Sequence, residues 1–175
     1  MFAKLRLNAF LVDTFAWREY FVGGKKGRQA AEVIDLALDF APKYTHTLCL
    51  AELVRVYHNS GDDFEKDLPV ILDRSHLLDQ VPRDVALRSG RLRNQLIKLT
   101  KVKKDGKHKS NGICTVDCIL LAMAIEKGIR LISGGSDFEV ISHPDRFKIT
   151  SSNLDYSEEG KTIQLPDYIY LLEGS

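Results

Sequence analysis

Apolar residues fall along this chain in short unbroken runs, separated by longer stretches that repeat with a helical period. Residues 9–12 (Ala9-Phe10-Leu11-Val12) do not alternate with polar ones, the pattern of a strand buried on both faces. Thr14–Val22 reads as a helix stopped by Gly23-Gly24. A second helix is expected over 28–40, where Ala30, Ala31, Val33, Ile34 and Leu38 share a stripe and Ala41-Pro42 ends it. A short strand follows at 45–48, then a helix at 50–58 closing near Asn59-Ser60-Gly61. A helical segment over 64–74 is weakened by Pro69; a strand at 76–81, a helix over 83–99 and a polar loop over 101–112 come next. Thr115–Lys127 is the clearest helix, with Thr115 placed to cap it and Gly128 suited to a left-handed stop. Arg130–Ser133 reads as a strand, 137–142 as a helical turn, 147–149 as an edge strand, and 162–165, before Pro166, as a strand or arm. Strands alternating with helices imply an α/β fold of three layers, a central and mostly parallel sheet flanked by helices on both sides. The 175 residues suit one domain. It is expected over 1–150, with 151–175 as an acidic extension or edge strand of the same domain.

Composition supports this. A hydrophobic content of 44% supplies a core and argues against disorder. No apolar stretch is long enough to cross a bilayer, and Met1-Phe2-Ala3-Lys4-Leu5-Arg6 does not open a signal peptide, so a cytoplasmic location is expected. Three cysteines, an odd count, argue against a disulfide framework. Cys114 and Cys118 are spaced to share a helix face, but zinc would want two further soft ligands nearby and the histidines are scattered. Buried small hydrophobes are the better reading.

The net charge of +1 conceals a division. Residues 88–109 hold nine cations (Arg88, Arg91, Arg93, Lys98, Lys101, Lys103, Lys104, Lys107, Lys109) against Asp105 alone, a local +8 that leaves −7 for the remainder. Such a segment suits a polyanion, its plain alternative being a solvated helix and loop. Trp17, Tyr20 and Phe21 stand at helical spacing and read first as core or interface, second as base-stacking platforms.

Four acids carry the candidate chemistry. Asp13 and Asp137 follow expected strands; Glu52 and Asp117 sit near the starts of expected helices. In a parallel sheet these positions share one rim. Singly, each has a bland account. Asp13 would cap the helix at Thr14, Glu52 would pair with Arg55, Asp117 would meet a helix dipole, and Asp137 would cap a turn. Jointly they make a site for a hard dication, and oxygen-only ligands favour magnesium or manganese. Rival motifs fail. Phe15 stands where a haloacid-dehalogenase-type phosphatase needs a second aspartate. Gly23-Gly24-Lys25-Lys26-Gly27 follows a helix and has no Ser or Thr after its lysines, unlike a P-loop. Ser133-Gly134-Gly135-Ser136 is too short for a dinucleotide fingerprint.

Leu11-Val12-Asp13-Thr14-Phe15-Ala16-Trp17, Thr47-Leu48-Cys49-Leu50-Ala51-Glu52-Leu53, Thr115-Val116-Asp117-Cys118-Ile119-Leu120-Leu121-Ala122 and Leu131-Ile132-Ser133-Gly134-Gly135-Ser136-Asp137-Phe138 together resemble the four acidic motifs of PIN-domain ribonucleases. The likeness is closest to the VapC-type toxins of toxin–antitoxin pairs and covers roughly residues 9–150. The fourth motif departs from the pattern. Many members carry an acid or amide where this chain has Gly135, which implies a weaker second metal site or a ligand role moved onto Asp137 and Ser133.

The resemblance implies a PIN-like fold and metal-dependent hydrolysis of RNA phosphodiesters. Asp13, Glu52, Asp117 and Asp137 would be the catalytic and metal-holding residues for Mg²⁺ or Mn²⁺, with Thr14 and Ser133 in support. Arg91, Arg93, Lys101, Lys103, Lys104 and Lys107 would grip the RNA backbone. It further implies a homodimer and a VapB-type antitoxin partner. Two alternatives stay open: a PIN nuclease of RNA maturation or decay without an antitoxin, and a PIN-fold RNA-binding protein whose catalysis is impaired.

Overall fold

Leu11 and Val12 are adjacent and fully buried, yet they belong to opposite halves of the core. Neighbouring strand residues point to opposite faces, so an unbroken apolar run marks a strand covered on both sides. The same holds for Leu131 and Ile132.

The computed structural model describes residues 9–36, 41–100, 113–142, 155–158 and 161–172. In chain order its elements are β1 (Phe10–Val12), α1 (Thr14–Val22), α2 (Gly24–Leu36), β2 (Lys43–His46), α3 (Thr47–Ser60), a 3-10 turn (Phe64–Lys66) and α4 (Leu68–Arg74). They continue with β3 (His76–Leu78), α5 (Arg83–Thr100), α6 (Thr115–Lys127), β4 (Arg130–Ser133), α7 (Ser136–Ser142), β5 (Asp155–Glu158), β6 (Lys161–Gln164), a second 3-10 turn (Leu165–Tyr168) and β7 (Ile169–Leu171). Five strands form one sheet in the order β3-β2-β1-β4-β7, and each neighbouring pair is parallel. β5 and β6 form a separate antiparallel pair. Helices cover both faces, giving the α/β/α arrangement expected of the sequence.

One half of the core gathers Leu92, Leu96, Leu121, Met123, Phe138 and Ile141 from α5, α6 and α7. The other gathers Trp17, Ala30, Ile34, Leu53 and Ile71 from the first four helices. Between Cys118 and Ile125 only Ile119 of α6 escapes full burial, so that helix is wrapped on nearly every side and its position is strongly fixed. Arg88 on α5 closes an ion pair of 2.8 Å with Glu126 at its far end.

Trp17 is core. It is fully buried, its Nε1 donates to Thr45 Oγ1 at 2.9 Å, and the rings of Tyr20 and Phe21 lie against it at 5.6 and 6.0 Å. The first of the two readings of this aromatic group is therefore the one observed.

Several boundaries differ from the expected ones. β2 spans Lys43–His46 rather than 45–48 because His46 is the N-cap of α3, its Nδ1 accepting from the Leu48 amide at 3.1 Å. Cys114, not Thr115, caps α6, its Sγ accepting from the Asp117 amide at 3.3 Å. Asp67 divides the segment over 64–74, and Pro69 falls in the first turn of α4, where its missing N–H leaves no bond unmade. The expected strand at 147–149 and the loop at 101–112 lie outside the described residues.

α2 starts at Gly24 rather than at residue 28, because Gly23 and Gly24 turn the chain between helices with φ of 81° and 78°. The two helices then pack closely through Gly27, where an added Cβ would run into the Glu19 carbonyl oxygen. That oxygen is already tied to the Gly23 amide at 2.9 Å and cannot yield without opening the turn. Gly27→Ala is therefore expected to cost about 2 kcal/mol, seen as a melting temperature lowered by roughly 5 °C.

Candidate active site

The site lies where β1 and β4 end and helices begin. Asp13 follows β1 directly, its amide bonded to the Ile132 carbonyl of β4 at 3.0 Å. It stands at the N-cap of α1 but makes no side-chain cap bond. Its carboxylate instead accepts from Ser133 Oγ at 2.6 Å, and Ser133 is the last residue of β4. Ser133 Oγ in turn lies 3.4 Å from the Gly135 amide. The capping account of Asp13 thus gives way to a buried carboxylate aimed across the sheet rim.

Glu52 lies in the second turn of α3, and its Oε2 accepts from Thr14 Oγ1 at 2.6 Å. It makes no ion pair with Arg55. Asp117 sits in the first turn of α6 and Asp137 in the first turn of α7. One cleft is lined by Asp13, Glu52, Asp117 and Asp137 together with Thr14, Gly135, Arg18 and Arg55, and by the apolar Phe15, Val56 and Phe138. All four candidate acids therefore meet in one place, and Thr14 and Ser133 each fix one of them.

Their mutual repulsion shows in their proton affinities. Burial first, then the charge of Asp117, pushes Asp13 from the ordinary 3.8 to about 7, with Glu52 adding to the effect and the Ser133 bond opposing it. Burial also raises Asp117 to about 6; the Cys114 thiol opposes this, while Glu52 and Asp137 reinforce it. Asp137 is raised by burial. Asp13 and Asp117 thus each feel at least two other carboxylates. With all four carboxylates ionised, the two guanidiniums leave the lining at −2, the charge that one dication cancels.

The donor set fits a hard cation in kind: all carboxylate and hydroxyl oxygen, with charge to spare. The oxygens are not drawn into a ready ligand set. Among the described residues no three His, Cys, Asp or Glu side chains are gathered to hold an ion, and Asp13 and Glu52 each turn an oxygen to a hydroxyl. The cysteines at α6 form no such site either. Cys118 is buried; Cys114 is exposed, its thiol pushed up to about 12 chiefly by desolvation.

The glycines of the fourth motif differ in role. A Cβ on Gly134 would lie 2.6 Å from Phe15 Cε1 and 3.2 Å from Leu172 Cβ, so that position is closed to side chains. A Cβ on Gly135 would meet only Ser133 Oγ, at 3.8 Å. An acid is sterically admissible there, and this chain simply lacks one.

Of the basic residues singled out from sequence, Arg91 and Arg93 lie on α5 and do not line the cleft. Arg93 stands close enough to Cys118 to act on its thiol. Lys101, Lys103, Lys104 and Lys107 lie outside the described residues. The sequence pattern does not single out Arg18, and it offers Arg55 only as a local partner for Glu52. The signal for both was spacing: each stands one helical turn after an acidic-motif residue (Thr14 or Glu52).

The sequence pattern that defines the PIN domain matches residues 10–144. The chain belongs to the PIN domain family, whose members are generally nucleases, a class of hydrolase. Several solved structures share its fold, these two among them. One is described as a toxin–antitoxin complex from Klebsiella pneumoniae, 21% identical, with a TM-score of 0.51 over 74% of this chain and 90% of that one. The other is VapBC2 from Rickettsia felis bound to a DNA fragment from its promoter, 18% identical, with a TM-score of 0.54 over 75% and 91%. At such identities the likeness is one of fold. No curated protein matches the chain. Among the described residues no helix is long and apolar enough to cross a membrane.

Proposed function

We propose that this protein is a metal-dependent endoribonuclease and the toxin of a VapBC-type pair. The observation that carries the nuclease reading is the meeting of Asp13, Glu52, Asp117 and Asp137 in one cleft with a lining charge of −2. The likeness in fold to two toxin–antitoxin structures supports the toxin role and an antitoxin partner. Mg²⁺ or Mn²⁺ held by the four acids would supply positive charge to the scissile phosphate and acidify a water. The chain itself positions. Ser133 orients Asp13, Thr14 orients Glu52, and Asp117 links them electrostatically to Asp137. Purified protein with Mn²⁺ is expected to cut single-stranded RNA and to stop when the metal is chelated. Cutting that persists after chelation would contradict the metal's part.

Gly135 favours one second reading, an RNA-binding PIN protein of impaired catalysis. Tight RNA binding without cutting at millimolar Mn²⁺ would select it. The open space at this position also makes a gain of function accessible. Gly135→Asp adds an acid facing the cleft and is expected to tighten Mn²⁺ binding about tenfold by titration calorimetry, the low end of what ligand-shell changes do.

A further inference from the structure

The nuclease reading leaves one electrostatic difficulty. A phosphodiester approaching four carboxylates is repelled, and a dication offsets only two of their four charges. The substrate needs further cations that the acids have not already neutralised. Arg18 and Arg55 line the cleft, and neither pairs with a cleft carboxylate. Arg18 bonds only Glu19 among acids, at 2.8 Å, with its side chain 41% exposed, while Arg55 forms no ion pair among the described residues. Glu52, three positions from Arg55, gives its oxygen to Thr14 instead.

Phe15 holds two cations at this edge. Its ring carries Arg18 Cζ at 4.7 Å and Lys26 Nζ at 5.2 Å from the centroid. A ring face holds a cation in place without cancelling its charge, as a carboxylate would. The ring can occupy this spot because residue 134 has no side chain to meet it. Two helices thus deliver cations to one aromatic surface at the edge of the acidic cleft.

We propose that Arg18, Lys26 and Arg55, the first two held by Phe15, form a rim that grips the phosphates of single-stranded RNA on either side of the scissile one. The proposal rests on the nuclease reading above. Asp13, at the floor, is only 3% exposed, so the scissile phosphate must descend into the cleft. A flexible single strand can bend to do so.

The test compares wild type with Arg18→Gln/Arg55→Gln, Phe15→Leu and Arg18→Lys on a short labelled single-stranded RNA with Mn²⁺, reading KM, kcat and salt dependence, with a melting curve for each. The double variant is expected to raise KM about tenfold and to flatten the salt slope of log(1/KM) by about 1.4, the loss of two phosphate contacts. Phe15→Leu removes no charge yet is expected to raise KM roughly threefold through misplaced cations, and Arg18→Lys to recover most of the Arg18 contribution. An unchanged KM and slope in a well-folded double variant overturns the rim. A normal KM in Phe15→Leu removes Phe15 from it. If wild type cuts no RNA, the nuclease reading falls instead, and anisotropy binding of the same RNA still decides the rim: equal affinity in wild type and double variant overturns it.

Discussion

Asp13→Asn is expected to reduce RNA cleavage by about a thousandfold or more while making the metal-free protein more stable. Partners that merely orient a metal ligand are worth about 10- to 100-fold, so Asp13 in its proposed role of direct ligand should exceed that. The stability change has the opposite sign because Asp13 is almost wholly buried among other acids. Its rise from 3.8 to about 7 means that holding it ionised in the fold costs on the order of 4 kcal/mol. Asparagine has the same shape, carries no charge, and keeps an oxygen that accepts from Ser133, a bond of 2.6 Å in the native chain. Part of that cost should return as a melting temperature raised by roughly 5 °C in chelator at pH 8. Strain stored at a working site and released by disabling it is a signature of function. A variant that cuts RNA at the native rate, or melts lower than wild type without metal, would show that Asp13 is an ordinary buried group.

The convergence of the four acids could be read in the chain because strand ends and helix starts have local signatures. Asp13 closes an apolar run, Asp117 follows a break and opens a long apolar helix, and parallel topology brings such places together. What could not be read depended on distant partners. Thr14 reaches Glu52 across 38 positions, and only that bond shows why Glu52 ignores Arg55. Phe15 looks like any helical aromatic until Gly134 is seen to make room for it. One cap failed for a different reason: a thiol acceptor such as Cys114 is rarer than a hydroxyl or carboxylate, so pattern alone prefers the neighbouring Thr115. Gly135, by contrast, was conspicuous in the sequence. The structure adds that its emptiness is not enforced by packing.

Mn²⁺ should bind about fourfold more tightly at pH 8 than at pH 6.5, and should release close to one proton per ion at the lower pH. The folded Asp13 keeps its proton up to about 7, whereas the unfolded chain loses it near 3.8. Between those values the fold holds a proton that the unfolded chain does not, so metal-free stability is greatest on the acid side and falls as pH rises toward 7. From pH 6.5 to 8 that loss is on the order of 1 kcal/mol. Asp117, raised to about 6, is mostly ionised before this window opens. His46 works in the opposite sense. Burial lowers its affinity for a proton, so the fold weakens as pH drops below its ordinary 6.5, outside the window. The Cys114 and Cys118 thiols, raised from 9.0 to about 12, begin to matter only above it. Among these groups Asp13 thus sets the slope within the window, and a dication using its carboxylate must displace its proton first. Calorimetry in two buffers of different ionisation heat would register that proton directly, and melting curves would show a larger Mn²⁺ stabilisation at pH 8. Equal affinity at both pH values with buffer-independent heat would mean that the ion leaves the Asp13 proton in place. The cleft's negative charge would then serve something other than a metal bound at its floor.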